Sequence, residues 1–426
     1  MTTANLNKKQ KTTPNAAVLI VLSSIPLIMV LGNSMLIPVL PTIGKELGIT
    51  TFQVSLLITL FSIPAAIVIP IAGILADRLG RKRVIVVSLI IYGIGGLLGG
   101  IASIWQGGSY LFLLIARIIQ GIGAAGTAPI AMVLAGDLFK KGERSKALGI
   151  IESSNAMGKV LSPIFGSLLA AITWYAMFFV FPIFTIPVAI ALWKLIDEPA
   201  LEQKPLPLVQ YKERIFKTFK RQGRWISITF LAGLLIFFTT FGVLFYLSDL
   251  LEKRYGLDGL IKGFVIAIPV LFLAVTAYWT GSYIKNHARM MKRLIMIGLI
   301  TITASVAAMP WFSGAVMTII LSSLIGTGTG LIVPCLNTLI TSAVGIQERG
   351  VITSLYGSVR FFGVALGPPV FGALTNRPIV LFLSVAAAMG IVTVLAGLMI
   401  HRPQHLRGKD GHSRVLLRKR RFHPAT

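Results

Sequence analysis

The chain has 426 residues, of which 55% are hydrophobic and only 13% carry a charge. With a mean hydropathy of +0.83, this composition excludes a soluble globular protein of this length. A formal net charge of +26 would suggest a nucleic-acid partner in a soluble protein, but an excess of cations on cytoplasmic loops explains it without one. We therefore expect an integral membrane protein of the helical type, since no alternating barrel pattern appears.

Runs of about 20 apolar residues, each long enough to cross a bilayer, recur along the whole chain. They predict about twelve spans, at 16–41, 52–76, 84–105, 110–135, 147–172, 175–196, 225–248, 259–284, 294–312, 315–343, 351–375 and 379–400. The first run is preceded by lysines but has no signal-peptide cleavage site, so it is interpreted as a retained helix.

The distribution of cations predicts the orientation. Loops on the side of the N-terminus hold almost all Lys and Arg that lie outside the spans. The opposite loops hold only Lys45, Lys253, Arg254 and Arg377. Because cations stay on the cytoplasmic side, both termini are expected inside, in a cell membrane.

The hydrophilic loop 73–85, GILADRLGRKRVI, connects the second and third predicted spans. A loop that only stops translocation needs cations, but it needs neither fixed glycines nor an acid. Here Gly73 allows backbones to approach closely, Gly80 permits a tight turn, and Asp77 can accept from a helix N-terminus. The pattern G-x-L-A-D-R-x-G-R-K resembles the loop between helices two and three of the major facilitator superfamily of transporters.

This resemblance implies a gate on the cytoplasmic side. Asp77 would meet the N-terminal end of the eleventh helix, a favourable contact between a charge and a helix dipole. Arg81 would pair with Asp137 at the inner end of the fourth span. Because these contacts exist only when the cytoplasmic side is closed, they would stabilise the outward-open state. The expected gating residues are Gly73, Asp77, Arg78, Gly80, Arg81, Lys82 and Asp137.

The fourth span carries the sequence RIIQGIGAA from Arg117. It resembles the second motif of the family, R-x-x-Q-G-x-G. Arg117 and Gln120 are one turn apart and share a helix face. An arginine inside a span is costly unless it faces protein or water. The resemblance implies that Arg117 lines the cavity and takes part in proton coupling, and the alternative is a structural arginine that reaches outward from the helix.

The fifth span contains many polar and small residues and cannot face lipid on all sides. It resembles the exporter motif G-x-x-x-G-P-x-x-G-G, here with serines in place of two glycines. The eleventh span carries a closer copy. The residues of the two copies are Gly158, Ser162, Pro163 and Gly166 in the fifth span and Gly363, Gly367 and Pro368 in the eleventh. Small residues and a proline predict a thin, bendable helix at the interface between two halves.

Glu152 is the only acid well inside a predicted span, and Lys159 lies about 10 Å further along the same helix face. Arg360 in the eleventh span is expected at a similar central depth. One hypothesis makes Glu152 the protonatable group that couples transport to the proton gradient. The alternative is a fixed ion pair with Lys159 or Arg360 that only joins helices.

Three cations, Arg117, Lys159 and Arg360, face one acid in this presumed cavity. The balance makes an anionic or polyphenolic solute plausible beside the general drug-efflux interpretation. Isolated polar groups, Asn33 and Asn337, are either substrate contacts or interhelical hydrogen bonds. An aromatic stripe in the seventh span could stack flat solutes, although packing or lipid contact is more common for such a stripe; its residues are Phe238, Phe241 and Phe245.

The two halves of the chain repeat. A shift of 205 positions carries seven residues of one half onto identical residues of the other in order, and it places the prolines at 129 and 163 on those at 334 and 368. The expected fold is an all-α membrane protein of two pseudo-symmetric six-helix bundles, 16–196 and 225–400, which enclose a site near the bilayer midplane.

Three polar segments lie outside these bundles: a cytoplasmic tail (1–15), a linker (197–224) and a basic tail (401–426). In the linker, the stretch 211–219 is either a helix on the inner membrane surface or a solvated basic loop. The basic tail is assigned no fold and is expected to lie against anionic lipid.

The sequence thus predicts a proton-coupled exporter of small amphipathic molecules, similar to multidrug and siderophore exporters and monomeric. The alternatives are an importer or symporter of a small organic anion, and a membrane sensor or scaffold that transports nothing. No enzymatic activity, cofactor or metal is expected, because the sequence shows neither a ligand cluster nor a nucleophile–base pair. The expected partners are a small-molecule substrate, protons and the lipid bilayer, with no nucleic acid.

Overall fold

The computed structural model describes residues 16–105, 109–139, 141–198, 208–284, 290–312, 314–343, 346–400, 403–407 and 413–417. The first half contains helices α1 (Ala16–Ser34), α2 (Leu40–Leu47), α3 (Thr51–Leu79), α4 (Arg81–Ile104), α5 (Ser109–Ala125), α6 (Ala128–Leu138), α7 (Lys141–Ala170) and α8 (Ala176–Leu195). The second half contains α9 (Leu208–Tyr255), α10 (Gly259–Ile284), α11 (Met291–Ala308), α12 (Ala315–Ala343), α13 (Ile346–Leu374) and α14 (Pro378–Met399), followed by strands β1 (Pro403–Arg407) and β2 (Ser413–Leu417).

Within the described residues, 11 helical stretches are long and apolar enough to cross a membrane. One of them, Tyr110–Leu138, joins α5 and α6. One more helix, α7, takes the place of a membrane span in this fold, at the position where the sequence predicts the fifth span. It contains too many charged and polar residues to meet the same criterion. Such a helix must be held among other helices, because lipid offers its polar groups no partners.

The internal repeat extends to the helix boundaries. Shifted by 205 positions, α3 covers 256–284, where α10 occupies Gly259–Ile284. The same shift carries α7 to 346–375, where α13 occupies Ile346–Leu374. It also carries α4 onto α11 and α8 onto α14. The pairing of halves expected from a few matched residues therefore holds for whole helices.

Each half packs as its own bundle. In the first, α4 packs against α5 and α8, and α1 packs against α7; in the second, α12 packs against α10 and α11, and α9 packs against α13. The halves meet along two helix pairs that the repeat relates to each other, α3 with α13 and α7 with α10. Thr59 Oγ1 on α3 donates to Ala365 O on α13 at 2.7 Å. The predicted fold, two pseudo-symmetric six-helix bundles, is confirmed.

Two glycines bring helices of the first half to backbone contact. A β-carbon at Gly166 would lie 2.1 Å from Met35 O, and one at Gly121 would lie 2.1 Å from Phe61 O. These positions seat α7 against the end of α1 and α5 against α3. No side chain fits there without moving a backbone, so the glycines permit the close helix packing common in membrane bundles.

We expect Gly166→Ala to lower the thermal unfolding midpoint in detergent, with a cost of about 1–3 kcal/mol from overpacking. Gly149→Ala on the same helix is the matched control, because nothing lies within 4 Å of its β-carbon position. The control should be neutral or stabilising by up to about 1 kcal/mol, since alanine favours helix. Tryptophan fluorescence of the purified variants measures both, and equal midpoints would contradict the packing argument.

Three boundaries differ from the predicted ones. Helix α9 begins at Leu208, inside the predicted linker, because 208–222 contains neither glycine nor proline and is rich in helix formers. The stretch 211–219, for which the sequence left a membrane-surface helix and a solvated loop open, is helical and continuous with the span: Phe219 packs on Phe230 with ring centroids 5.9 Å apart, while Phe216 is exposed. The predicted fourth span is broken at Gly126 and Thr127, between α5 and α6, and Pro129 lies in the first turn of α6, where its missing N–H costs no helix hydrogen bond.

The third difference is in the basic tail, for which the sequence analysis assigned no fold. Its backbone forms an antiparallel pair, β1 with β2, in which Gln404 lies opposite Leu416. The overlooked signal is the dipeptide Asp410-Gly411 between two short runs, a common hairpin connection. The predicted tail 1–15 lies outside the described residues, as do parts of the predicted tail 401–426.

Candidate functional site

The turn between α3 and α4 defines one end of the bundles, here called the hairpin end. Gly80 makes this turn with φ +94°, a conformation that favours glycine. The carboxylate of Glu198, just beyond α8, accepts from the backbone N–H of Arg81 at 2.6 Å and of Lys82 at 3.1 Å. A negative charge is favourable at the start of α4. Glu198 thereby ties α8 to the hairpin, a role that the sequence analysis did not anticipate.

The loop 73–85, here called the hairpin, makes further contacts around this turn. The guanidinium of Arg81 forms the expected ion pair with the carboxylate of Asp137 at the end of α6. Lys82 Nζ lies 5.0 Å from the ring centroid of Trp193 on α8. Asp77 is half-buried and Arg78 is exposed. The hairpin therefore links α4, α6 and α8 of the first half. Because Arg81 and Asp137 belong to the same half, their pair does not require a closed cytoplasmic side, contrary to the expectation from the sequence.

The hairpin end also reaches the second half through α3. A β-carbon at Gly73 would lie 3.2 Å from Ser354 Oγ near the start of α13. A few turns further on, the hydroxyl of Ser358 donates to Ala66 O. These contacts place the last turns of α3, just before Asp77, against the first turns of α13. The structure thus brings α3 and α13 together near Asp77, while the predicted contact of Asp77 with the N-terminal end of α13 and its gating role belong to the proposals below.

Arg117 lies inside the first half and is completely buried. Its Nε donates to Leu57 O at 2.9 Å, and its Nη1 donates to Gly32 O at 3.0 Å and to the side-chain oxygen of Gln120. Its Nη2 donates to Asn33 Oδ1 at 3.4 Å. The outward-reaching alternative is therefore excluded. A buried guanidinium held by carbonyl oxygens joins α1, α3 and α5 into one unit.

Helix α7 has a lipid-facing side and a polar side. Exposed apolar residues on one side include Met157 and Leu168. Glu152 is also exposed, but it points roughly 140–160° away from them around the helix. Lys159 lies within about 20° of Glu152 and is half-buried. An exposed carboxylate on the side turned away from lipid indicates a solvent-open crevice between the halves.

Arg360 on α13 stands at comparable depth in the second half. Its guanidinium carbon lies 4.4 Å from the ring centroid of Phe237 and 5.6 Å from that of Tyr356. Its Nη1 donates to Asn337 Oδ1 at 3.5 Å. In the described part of the chain, no ion pair joins Glu152 to Lys159 or Arg360.

The predicted aromatic stripe is divided between two environments. Phe238 packs edge-on against Phe371 of α13, with ring centroids 5.9 Å apart, and Phe245 is buried. The ring centroid of Phe241 lies 6.4 Å from that of Phe237, and the ring of Phe237 contacts Arg360. The stripe is therefore mostly interhelical packing, and only its Phe237–Phe241 side adjoins the central cations.

The helices that carry these motifs, α7 and α13, lie at the interface between halves, as expected, but the motif glycines themselves pack within each half. The β-carbon position of Gly158 is 3.3 Å from Leu27 on α1, and those of Gly363 and Gly367 are 2.2 Å and 2.4 Å from carbonyl oxygens of α9. The interface uses the other side of α7, where Pro163 O and Ser167 lie 2.7 Å and 2.6 Å from the β-carbon position of Gly263 on α10. Of the remaining motif residues, Ser162 and Pro163 are buried, and Pro368 lies inside α13.

A charged cluster at the other end of the bundles, here the opposite end, was missed by the sequence analysis. Glu252 Oε1 lies 2.7 Å from Lys45 Nζ of the first half, and its Oε2 lies 2.7 Å from Lys262 Nζ of α10. Asp249 pairs with Lys253 at 2.9 Å. The opposite-end cluster comprises these five residues. The sequence feature that could have revealed this cluster is Lys262, because a lysine inside the predicted eighth span needs a partner.

The described residues contain no group of three His, Cys, Asp or Glu side chains that could hold a metal ion. The arrangement instead offers polar groups at three levels between two helical bundles. These are the charged hairpin, the central crevice with Glu152, Lys159 and Arg360, and the opposite-end cluster. Two bundles around a central polar site can expose that site to either side of a membrane by rocking.

Comparison with known proteins relates the chain to exporters. It is 43% identical to the "Bacillibactin exporter" of Bacillus subtilis over 378 residues, which cover 88% of this chain and 94% of the relative. It is 27% identical to "Multidrug resistance protein 1" of the same species over 388 residues, with 88% and 94% covered.

Solved structures show the same fold. A bacterial homologue of the human lysosomal transporter Spinster, inward-facing and occupied, matches with a TM-score of 0.70 at 17% identity, covering 90% of this chain and 96% of that one. The human organic anion transporter MFSD10 (TETRAN) matches with a TM-score of 0.68 at 17% identity, covering 89% and 99%. The family model of the Major Facilitator Superfamily matches residues 22–368. The chain therefore belongs to the Major Facilitator Superfamily of membrane transporters.

Proposed function

We propose that the protein is a proton-coupled exporter of small amphipathic molecules, of the siderophore or multidrug type. The observation that carries this proposal is the 43% identity to a bacillibactin exporter across nearly the full length of both chains. The lower but equally extensive similarity to a multidrug resistance protein supports the same direction of transport.

The proposed orientation places the hairpin end in the cytoplasm, with both chain termini inside and the protein acting as a monomer in the cell membrane. The support is the concentration of Lys and Arg in the loops at that end. The crevice that exposes Glu152 then opens toward the cytoplasm, where an exporter collects its substrate. The opposite-end cluster then faces the exterior.

In the proposed mechanism the two bundles rock around the central crevice. Glu152 is the group that binds and releases the transported proton, because it is exposed in the crevice and pairs with neither Lys159 nor Arg360. Arg117 couples α1, α3 and α5, so that a change near the crevice moves them together. Asn337 and Phe241 stand beside the central cations as candidate substrate contacts.

A second candidate function, symport of a small organic anion, is favoured by the charges of the crevice. Lys159 and Arg360 are partly buried, and within the described residues neither pairs with a carboxylate. An anionic solute would supply the missing negative charge. Protonation of Glu152 would strengthen anion binding by removing a like charge, so proton and anion would move in the same direction.

Transport assays in inverted membrane vesicles distinguish these functions. Labelled bacillibactin and the cationic dye ethidium are offered from outside vesicles whose interior is acidified. The exporter predicts uptake of at least one of them, abolished by a protonophore. Symport predicts instead that a solute leaves preloaded vesicles together with protons. If neither bacillibactin nor ethidium enters the acidified vesicles or leaves preloaded ones, the proposed exporter of this substrate type is wrong.

The hairpin is proposed to close the cytoplasmic side, and Asp77 to contribute to that closure. We expect Asp77→Asn to leave the protein folded but to slow turnover about 2–10-fold, the effect of losing one charge near a helix terminus. Initial transport rates in vesicles measure it. Asp197→Asn, an exposed acid at the same end, is the control and should keep the wild-type rate. Wild-type turnover of Asp77→Asn would count against the gate.

A further inference from the structure

The opposite end of the bundles is held together by contacts that cross between the halves. Lys45 of α2 reaches Glu252 of α9 at 2.7 Å. Lys253 Nζ donates to Thr51 Oγ1 at 2.9 Å, and Ser248 Oγ donates to Ile37 O at 2.7 Å. With the close approach of Gly263 on α10 to α7, four separate contacts close this end.

Glu252 differs from the other members of this group because it has two cationic partners of unequal burial. Its side chain is 4% exposed, that of Lys262 is 1% exposed, and that of Lys45 is 66% exposed. Lys262 belongs to the same half as Glu252, whereas Lys45 belongs to the other half. The fully buried pair is internal to one bundle, and the pair whose lysine is exposed to solvent crosses between bundles.

This division makes the crossing contact reversible. A buried carboxylate left alone by the loss of its partner is strongly destabilising. When Lys45 moves away with its bundle, however, Glu252 keeps Lys262 as a counterion. An exposed ion pair contributes only about 0–1 kcal/mol, so its rupture is within reach of a transport cycle. The hydrogen bond and charge of Glu252 also raise the pKa of Lys45 above its ordinary value.

We propose that Lys45, Glu252 and Lys262 form a latch at the opposite end, in which Lys45 is the moving part and the buried Glu252–Lys262 pair is its fixed receiver. The latch holds this end closed while the crevice is open at the hairpin end, and it releases when the bundles rock. The proposal rests on the alternating access of the proposed function, but it concerns a different end of the molecule from the hairpin gate.

The latch is tested by measuring the separation of the halves directly. The single Cys335 is replaced by Ser, and spin labels are placed at Glu46→Cys in the first half and Gly314→Cys in the second. Both positions are exposed at the opposite end, and a side chain at Gly314 meets nothing within 4 Å. Distance distributions between the labels in liposomes then report whether this end is open or closed.

We expect Lys45→Gln to raise the ratio of long to short distances about 2–5-fold, the effect of losing one exposed ion pair. Lys45→Arg keeps the charge and should give the starting distribution. Arg377→Gln makes the same charge change at the same end, where the described residues give it no ion pair, and should also leave the distribution unchanged. A shift of equal size in Arg377→Gln, or no shift in Lys45→Gln, overturns the latch.

A second variant distinguishes the role of Glu252, the fixed part of the latch, from that of Lys45, the moving part. Glu252→Gln removes the receiver and should shift the distances in the same direction, but it also leaves Lys262 buried without a counterion and should lower the thermal midpoint. Lys45→Gln should open the end without lowering the midpoint. The distances do not depend on which solute is carried, so they can show the latch even if the transport assays above fail.

Discussion

Glu152→Gln is expected to lower proton-driven transport at least about 5-fold while leaving the exchange of substrate across the membrane without a gradient intact. The variant removes the proposed proton-binding group and keeps its shape. Free energies that couple two ligands are typically about 1–3 kcal/mol, and this loss corresponds to that range. Its physical basis is the exposure of Glu152 on the side of α7 turned away from lipid.

The measurement compares two assays on the same vesicles, initial uptake under an imposed acid gradient and gradient-free exchange of labelled for unlabelled solute. Glu213→Gln serves as the matched control, because Glu213 is an exposed acid on α9 in the part that precedes the span. It should match the wild type in both assays. Full gradient-driven uptake by Glu152→Gln would rule out its role as the coupling group, and loss of both activities would indicate a structural defect.

The internal repeat explains why the fold could be predicted from the sequence. Apolar runs of bilayer length set the spans, and the matched glycines and prolines set the pairing of halves, because both depend on local composition and spacing. The break between α5 and α6 and the start of α9 at Leu208 were missed for the opposite reason. A helix can continue into a polar segment, where no apolar run marks it. A proline inside a span does not show whether the helix bends or ends there.

The candidate site was predictable where one motif held both partners, or where the family resemblance paired them, as it did Arg81 with Asp137. The Arg117–Gln120 pair is one helical turn apart, and the structure joins the two side chains. Glu198 and Glu252 were missed because their partners come from distant parts of the chain, at the start of α4 and on α2 and α10. The helix with the fifth-span motif lies at the interface between halves, as expected, but which neighbour its glycines contact was not predictable, because small residues predict close packing without saying which neighbour fills the space.

Arg117 is the residue whose loss should have the largest effect on the first half. Arg117→Met leaves the carbonyls of Gly32 and Leu57 and the side-chain oxygens of Asn33 and Gln120 without this donor. We expect a loss of stability of about 2–5 kcal/mol, since buried acceptors left without donors cost about 1–3 kcal/mol each, and less where they find other partners inside a membrane bundle. The thermal midpoint of the purified variant measures this loss.

The second half shows that the fold itself does not require this arginine. The repeat places Ser322 at the equivalent position of α12, where its hydroxyl donates only to Thr318 O of its own helix. Ser322→Ala should therefore change stability by less than about 0.5 kcal/mol, which makes it the matched control. An arginine present in one half alone, and held by three different helices at the level of Asn33, fits a role in the transport cycle better than a role in building the bundle.

Arg117→Lys separates these two roles, because lysine keeps the charge but cannot present the planar set of donors. We expect a protein that folds with a reduced midpoint and shows proton-driven transport at least about 5-fold below the wild type, with a shifted dependence on pH, as coupling free energies of this kind predict. Gradient-driven uptake recorded across a pH series, beside gradient-free exchange, gives the answer. A lysine variant with the wild-type pH profile would make Arg117 a structural tie and leave proton coupling to the crevice alone.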